Sequence, residues 1–289
     1  MLFYKYIQMQ HVIYLPAQCR SMTNYAFLLI ITILMLSCSK DTDIKATQQR
    51  GNYSTLVWAD EFDYSGLPNP EYWGYEEGYV RNNEVQYYVA GRLENSRVEN
   101  GRLIITALND NFEGLGITSA SIKTQHKIDL HYGRVEVRAK LPVGKGAWPA
   151  IWTLGVNREE VGWPGCGEID IMEWLGWMPN FIWGSLYTTK VNGTVSPRLS
   201  RYIVRSPNNV STQFHTYAME WDSTQIRMFF DDKNYKTYRK SGMSITEWSP
   251  FTKPHYLLLN LAMGGNSGGK IDLNQFPFVY EIDYVRYYQ

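Results

Sequence analysis

Apolar and polar positions alternate with period two along much of the chain. Across residues 132–141, Val135, Val137, Ala139 and Leu141 alternate with Arg134, Glu136, Arg138 and Lys140, the pattern of a strand with one face in a core and the other in water. Segments 96–99 and 102–107 flank Asn100-Gly101, a pair that readily takes the positive φ angles of a tight hairpin turn. A second hairpin is predicted where Tyr217, Met219 and Trp221 alternate, Asp222-Ser223-Thr224 turns, and Ile226, Met228 and Phe230 alternate again. Residues 257–263 are apolar apart from Asn260, as expected of a central strand covered on both faces, and residues 282–288 close the chain as another strand. No stretch sustains a 3.6-residue period, and neither a solenoid repeat nor a low-complexity block occurs. The predicted fold is all-β, with two antiparallel sheets packed as a jelly-roll sandwich.

The N-terminus follows a different logic. Residues 25–37 are nearly all apolar and run into Leu34-Met35-Leu36-Ser37-Cys38-Ser39, with Lys5 and Arg20 upstream. Thirteen residues suit the apolar stretch of an export signal and are short for a spanning helix. Small residues flanking Cys38 are what a bacterial lipoprotein signal requires, so residues 1–38 are expected to be a signal peptide ending in a lipidated Cys38. Translation from Met22 would leave that segment intact. Residues 39–52 are polar and read as a tether, which places the protein outside the cytoplasm, held to the outer membrane or cell surface by lipid alone. Only Cys166 of the three cysteines then lies in the mature fold, which excludes an intramolecular disulfide framework.

Charge narrows the partners. Lys plus Arg and Asp plus Glu number 28 each, so no net field attracts phosphate backbones and nucleic acid is excluded as a partner; a neutral polymer is the better match. Aromatics make up 15% of residues, with 10 Trp and 22 Tyr. Part of that store is available to line a sugar cleft, because pyranose C–H faces stack on aromatic rings; a large sandwich core would use many of the same residues.

The densest chemistry lies in Gly167-Glu168-Ile169-Asp170-Ile171-Met172-Glu173-Trp174, three acids within six residues on an otherwise apolar strand. On an ideal strand Glu168, Asp170 and Met172 share a face and Glu173 points the other way. One extra residue bulged near Ile171-Met172 returns Glu173 to the Glu168 side. Two carboxyls so placed can approach the ~5–5.5 Å separation at which one attacks an anomeric carbon and the other protonates the leaving oxygen. Glu168 is the candidate nucleophile and Glu173 the candidate general acid/base. Asp170, between them, is the candidate helper that hydrogen-bonds the nucleophile and raises its partner's proton affinity by like-charge repulsion. An arbitrary E-x-D-x-x-E is as readily a structural calcium site or a solvated acidic edge, but a glycine-rich entry and bracketing tryptophans are poor calcium-loop chemistry. The five histidines show no zinc spacing.

This segment resembles the active-site strand of glycoside hydrolase family 16 in its laminarinase-like branch. The resemblance extends, in order, through Leu56-Val57-Trp58-Ala59-Asp60-Glu61-Phe62, Asn82-Asn83-Glu84-Val85-Gln86-Tyr87-Tyr88, Tyr132-Gly133-Arg134-Val135-Glu136, Gly146-Ala147-Trp148-Pro149-Ala150-Ile151-Trp152, Phe214-His215-Thr216-Tyr217, Leu259-Asn260-Leu261-Ala262-Met263-Gly264-Gly265 and Asp283-Tyr284-Val285-Arg286. It implies a catalytic domain over 53–289, a jelly roll with an open cleft, and retaining endo cleavage of β-1,3 or mixed β-1,3/1,4 glucan by a protein expected to act as a monomer. It also implies substrate contacts from Asn82, Trp148, Trp152 and Trp163. No cofactor is required, although Asp283, the Gly101 carbonyl and Glu61 match a structural calcium site found in many members. Trp174, Trp183 and Tyr187 stand where the branch usually has histidines near the acid/base, and are expected to contact substrate and alter leaving-side specificity. The same fold and acids acting on a marine galactan (agar, porphyran or carrageenan), or a non-catalytic glucan-binding lipoprotein, are the alternatives. Linkage preference depends on loops such as 109–116 and 190–206.

Overall fold

The computed structural model describes residues 53–190, 192–203 and 209–289, apart from the side chain of Asn209. The expected signal peptide, Cys38 and tether lie outside the described residues. The described strands are β1 (Leu56–Asp60), β2 (Gly74–Glu76), β3 (Tyr87–Tyr88), β4 (Ser96–Val98), β5 (Leu103–Asn109), β6 (Ile117–Ser119), β7 (Ser121–Lys123), β8 (Gly133–Lys140), β9 (Ala147–Gly155), β10 (Glu168–Trp174), β11 (Phe181–Thr189), β12 (Val195–Ile203), β13 (His215–Trp221), β14 (Gln225–Phe230), β15 (Lys233–Arg239), β16 (His255–Met263) and β17 (Phe278–Tyr288). One sheet runs β15-β14-β13-β8-β17-β5-β6-β3, with β1 on β17 and β4 on β5; the other runs β12-β11-β10-β9-β16-β7-β2. Among the described residues, no helix is long and apolar enough to cross a membrane.

Both hairpins read from the sequence form. Asn100 and Gly101 take φ of 54° and 72°, and Glu99 and Arg102 exchange backbone hydrogen bonds across them, as a two-residue turn with positive φ at both central positions requires. Between β13 and β14 the Asp222 carboxylate accepts from the Thr224 and Gln225 amides at 2.7 and 3.0 Å, mimicking a backbone turn. The inner faces of the two sheets meet in one core in which Leu103, Ile105, Val137, Met219 and Ile282 pack with Ile151, Ile169, Met172, Leu257 and Leu259. Burial of such side chains contributes about 1.5–3 kcal/mol each.

One expectation needs correction. The outward side of β8 is not simply wet: Arg134 and Glu136 are buried. The Arg134 guanidinium donates to Glu136 at 2.7 and 3.0 Å and to Glu220 on β13 at 3.2 Å, and Arg227 on β14 pairs with the same Glu220. Opposite charges on three adjacent strands therefore cover one another, which a single strand's pattern cannot reveal. Strand β16, between β9 and β7, is buried throughout, as expected of a central strand; Leu257, Leu259, Leu261 and Met263 join the main core. Its other side carries Asn260 and Ala262 into a cleft on the outer face of the seven-stranded sheet.

Candidate active site

The register of β10 sets the site. Against β11, Asp170 pairs with Ser185 and Glu173 with Trp183, so three steps on β10 match two on its neighbour. Against β9, Asp170 pairs with Trp152 and Met172 with Ile151, two steps against one. This is a one-residue bulge at Ile171-Met172. Its consequence is visible in burial: Ile169, Ile171, Met172 and Trp174 all enter the core, while Glu168, Asp170 and Glu173 line the cleft together.

That cleft, of about 620 Å³, crosses the sheet from Leu199 on β12, through Trp183, Ser185 and Tyr187 on β11 and the three acids on β10, to Trp148 and Trp152 on β9 and Asn260 on β16. Asn82, Arg81 and Glu84 close one end. Each glutamate is held by an indole. Trp163 Nε1 donates to Glu168 Oε2 at 2.8 Å, and Trp148 Nε1 donates to Glu173 Oε1 at 3.0 Å. Trp163 is 47% exposed and its ring centroid lies 6.1 Å from that of Tyr187.

Burial raises the proton affinity of all three acids. Glu168 is pushed up by burial and then by the Glu173 charge, against the Trp163 indole and the charges of Arg81 and Arg158. Burial raises Glu173 too, opposed by the Trp148 indole. Asp170 is raised most plainly, by burial and then by Glu168 and Glu173. Its Oδ2 has no hydrogen-bond donor among the described residues, so the neutral acid is its stable form. Arrays of this kind titrate as a unit, and the named cationic field, from Arg81 and Arg158, falls on Glu168 rather than Glu173.

The other expected contact residues divide. Asn82, Trp148, Trp152, Trp163, Trp183 and Tyr187 all line the cleft. Trp174 does not: it is 2% exposed, packs in the core, and its indole donates to the Pro179 carbonyl at 3.3 Å. The bulge that turns Glu173 outward necessarily turns its successor inward, so Trp174 is corrected from substrate contact to core residue. Asn82 both lines the cleft and shapes a turn. With Asn83 it forms the centre of a turn with φ of 56° and 53°, a conformation asparagine tolerates, and its side-chain amide donates to Glu84 at 3.3 Å.

Glu84 and Asn260 were not singled out from the sequence, yet they tie the cleft together. The Glu84 carboxylate accepts from Gln86 at 2.9 Å and Tyr88 at 3.1 Å. Tyr88 accepts from Asn260 at 2.9 Å, and Asn260 Oδ1 accepts from Trp152 Nε1 at 2.8 Å. Arg81 and Arg158, the latter on α1 (Arg158–Val161), were missed as well. The available signal was polar Asn260 inside an apolar strand, opposite a segment in which Glu84, Gln86 and Tyr88 alternate.

The calcium donors do not fit a cation as they stand. Glu61 is engaged in two hydrogen bonds from the Arg286 guanidinium at 2.7 and 2.9 Å, and Asp283 is paired with Arg138. Gly101 lies in the β4–β5 turn, where its positive φ already accounts for the glycine. Among the described residues no group of three or more His, Cys, Asp or Glu is arranged to hold a metal ion.

Paired carboxyls with their own indole donors, set across an aromatic cleft on an antiparallel jelly roll, define a glycoside-cleaving enzyme. The model of glycosyl hydrolases family 16 matches residues 82–286. A β-glucanase of Rhodothermus marinus is 41% identical over 281 residues, spanning 93% of this chain and 96% of the relative. The X-ray structure of the laminarinase from Rhodothermus marinus superposes with a TM-score of 0.75 at 40% identity, covering 81% of this chain and 97% of that one. A variant of LamA from Zobellia galactanivorans, solved with laminaritriose and laminaritetraose, gives a TM-score of 0.73 at 40% identity and covers 82% of this chain and all of its own. The chain belongs to glycosyl hydrolase family 16.

Proposed function

We propose that this protein is a retaining endo-glycosidase that hydrolyses β-1,3 or mixed β-1,3/1,4 glucan such as laminarin. The observation that carries the reading is the bulge at Ile171-Met172, which puts Glu168 and Glu173 on one cleft. Glu168, whose ionised form the Trp163 indole and the nearby arginines favour against the effect of burial, attacks the anomeric carbon. The bond from that carbon to the bridging oxygen breaks, and Glu173 delivers its proton to the departing oxygen. Water then gives a proton to Glu173 and attacks the same carbon, and the ester to Glu168 breaks. Asp170, neutral, lies between them on the cleft and adds no further negative charge beside Glu168. A cleft crossing five strands and the 81–84 turn suits a polymer lying across the sheet.

Release of reducing ends from laminarin by the wild type, lost in Glu168→Gln, tests this. Reducing sugar from agarose and none from laminarin would overturn the substrate assignment in favour of a galactan.

The apolar run ending at Cys38 supports export and lipid attachment. Incorporation of labelled palmitate into the wild type and none into Cys38→Ala is the expected result, and labelling of both overturns it.

A further inference from the structure

Trp152 is expected to offer its face to a sugar, but a cation already lies there. The Arg81 guanidinium carbon sits 4.8 Å from the centroid of the Trp152 ring, and the ring itself is only 7% exposed. Arg81 is fixed on two further sides. Its Nη2 pairs with Glu76, whose other oxygen accepts from Ser121 at 2.7 Å. Its carbonyl accepts from the Glu84 amide at 3.1 Å to close the Asn82-Asn83 turn. That turn is pinned in turn to the opposite cleft edge, where Asn266 N donates to the Asn82 carbonyl at 2.9 Å and Asn83 donates to Asn266 at 3.0 Å.

One group of this clamped side chain has no protein partner. Arg81 Nη1 is enclosed, and no acceptor among the described residues reaches it. An enclosed charged donor without an acceptor is costly, whereas Arg81 lines the cleft beside Asn82 and Trp152. The charge itself is compensated by Glu76 and Glu84, so the site does not select for an anion.

We propose that Arg81 is a specificity-determining binding residue: the sugar bound beyond Trp148 on the β9–β16 side of the acids meets the Arg81 guanidinium, which donates to the hydroxyls of a neutral glucose unit, and Trp152 supports the guanidinium instead of stacking on the sugar. This rests on the glucanase reading and deepens it, assigning recognition at that end of the cleft to directional hydrogen bonds that distinguish hydroxyl configuration. A stacking face would tolerate either epimer, but a fixed fork of donors does not.

The test is titration of β-1,3-linked gluco-oligosaccharides of two to six units into Glu168→Gln protein, with and without Arg81→Met or Arg81→Lys. Loss of a charge-assisted hydrogen bond predicts that Arg81→Met weakens the hexaose on the order of 10–100-fold. Arg81→Lys restores part of the loss, and the effect shrinks as the oligosaccharide becomes too short to span from Glu168 to Arg81. A hexaose affinity within about twofold of the parent overturns the proposal, as does an equal loss at every chain length accompanied by a lower Tm, which marks a merely structural role. Failure of the glucanase reading is separately visible, since the wild type would then release no reducing ends from laminarin. Stronger binding of a sulfated or carboxylated oligosaccharide than of the neutral hexaose also overturns the proposal.

Discussion

Replacing Trp163 with Phe removes the indole N–H together with part of the ring, and keeps an aromatic side chain in its place. The indole N–H reaches Glu168 Oε2 at 2.8 Å, and a phenyl ring retains an aromatic group beside Tyr187. A hydrogen bond to a charged group contributes about 1.5–3 kcal/mol when shielded. Trp163 is 47% exposed, so water takes over part of its role and roughly 1 kcal/mol is the appropriate size. At ~1.4 kcal/mol per pH unit, the Glu168 carboxyl holds its proton about 0.5–1 unit higher in Trp163→Phe. Because the nucleophile must be ionised, the acid limb of the kcat/KM profile on laminarin moves to higher pH by that amount, and activity recovers above the limb. A full pH–rate profile with soluble laminarin measures it. An acid limb that stays in place or moves downward, with the fold intact, refutes the argument that this indole sets the charge of Glu168.

The companion substitution Trp148→Phe removes the donor to Glu173; it is expected to move the alkaline limb upward and leave the acid limb, measured in the same assay. The raised proton affinity of Glu168 has a stability consequence with a definite sign. An acid whose folded-state value lies above its unfolded one stabilises the fold fully below the unfolded value and loses that contribution as pH rises through the folded value. Glu168→Gln escapes the loss, so its Tm should match the wild type near pH 3–4 and exceed it on the order of 2–4 °C at pH 8; calorimetry at the two pH values checks this. Trp174→Ala should cost about 3–5 kcal/mol of stability through a core cavity, read by denaturant unfolding, while KM for laminarin in the folded protein stays put.

The sequence made the local parts of this fold legible and the long-range parts only partly so. The turns at Asn100-Gly101 and Asp222 were readable because their geometry is dictated by two or three consecutive residues. The bulge was readable for another reason: three acids on a core strand make chemical sense only if Glu173 faces Glu168. Carrying the parity one residue further would have placed Trp174 in the core, but the family's histidine position drew attention to the cleft instead. Arg134 and Glu136 looked solvated because cross-strand partners such as Glu220 cannot be seen from one strand. Arg81, Glu84 and Asn260 escaped for the same reason, since their connection depends on the 81–84 turn meeting β16. Glu61 and Asp283 matched a calcium pattern by type, whereas their neighbours Arg286 and Arg138 already supply the positive charge.

Everything rests on Glu168 and Glu173 flanking the same anomeric carbon from one bulged strand. Proton NMR of laminarin during the first minutes of hydrolysis reads that arrangement directly, because the configuration of the newborn reducing end reports whether one carboxylate attacked or a water did. New ends appearing first as the β anomer and only later equilibrating are the predicted result. Initial appearance of the α anomer would contradict the double displacement and the placement of Glu168 as nucleophile.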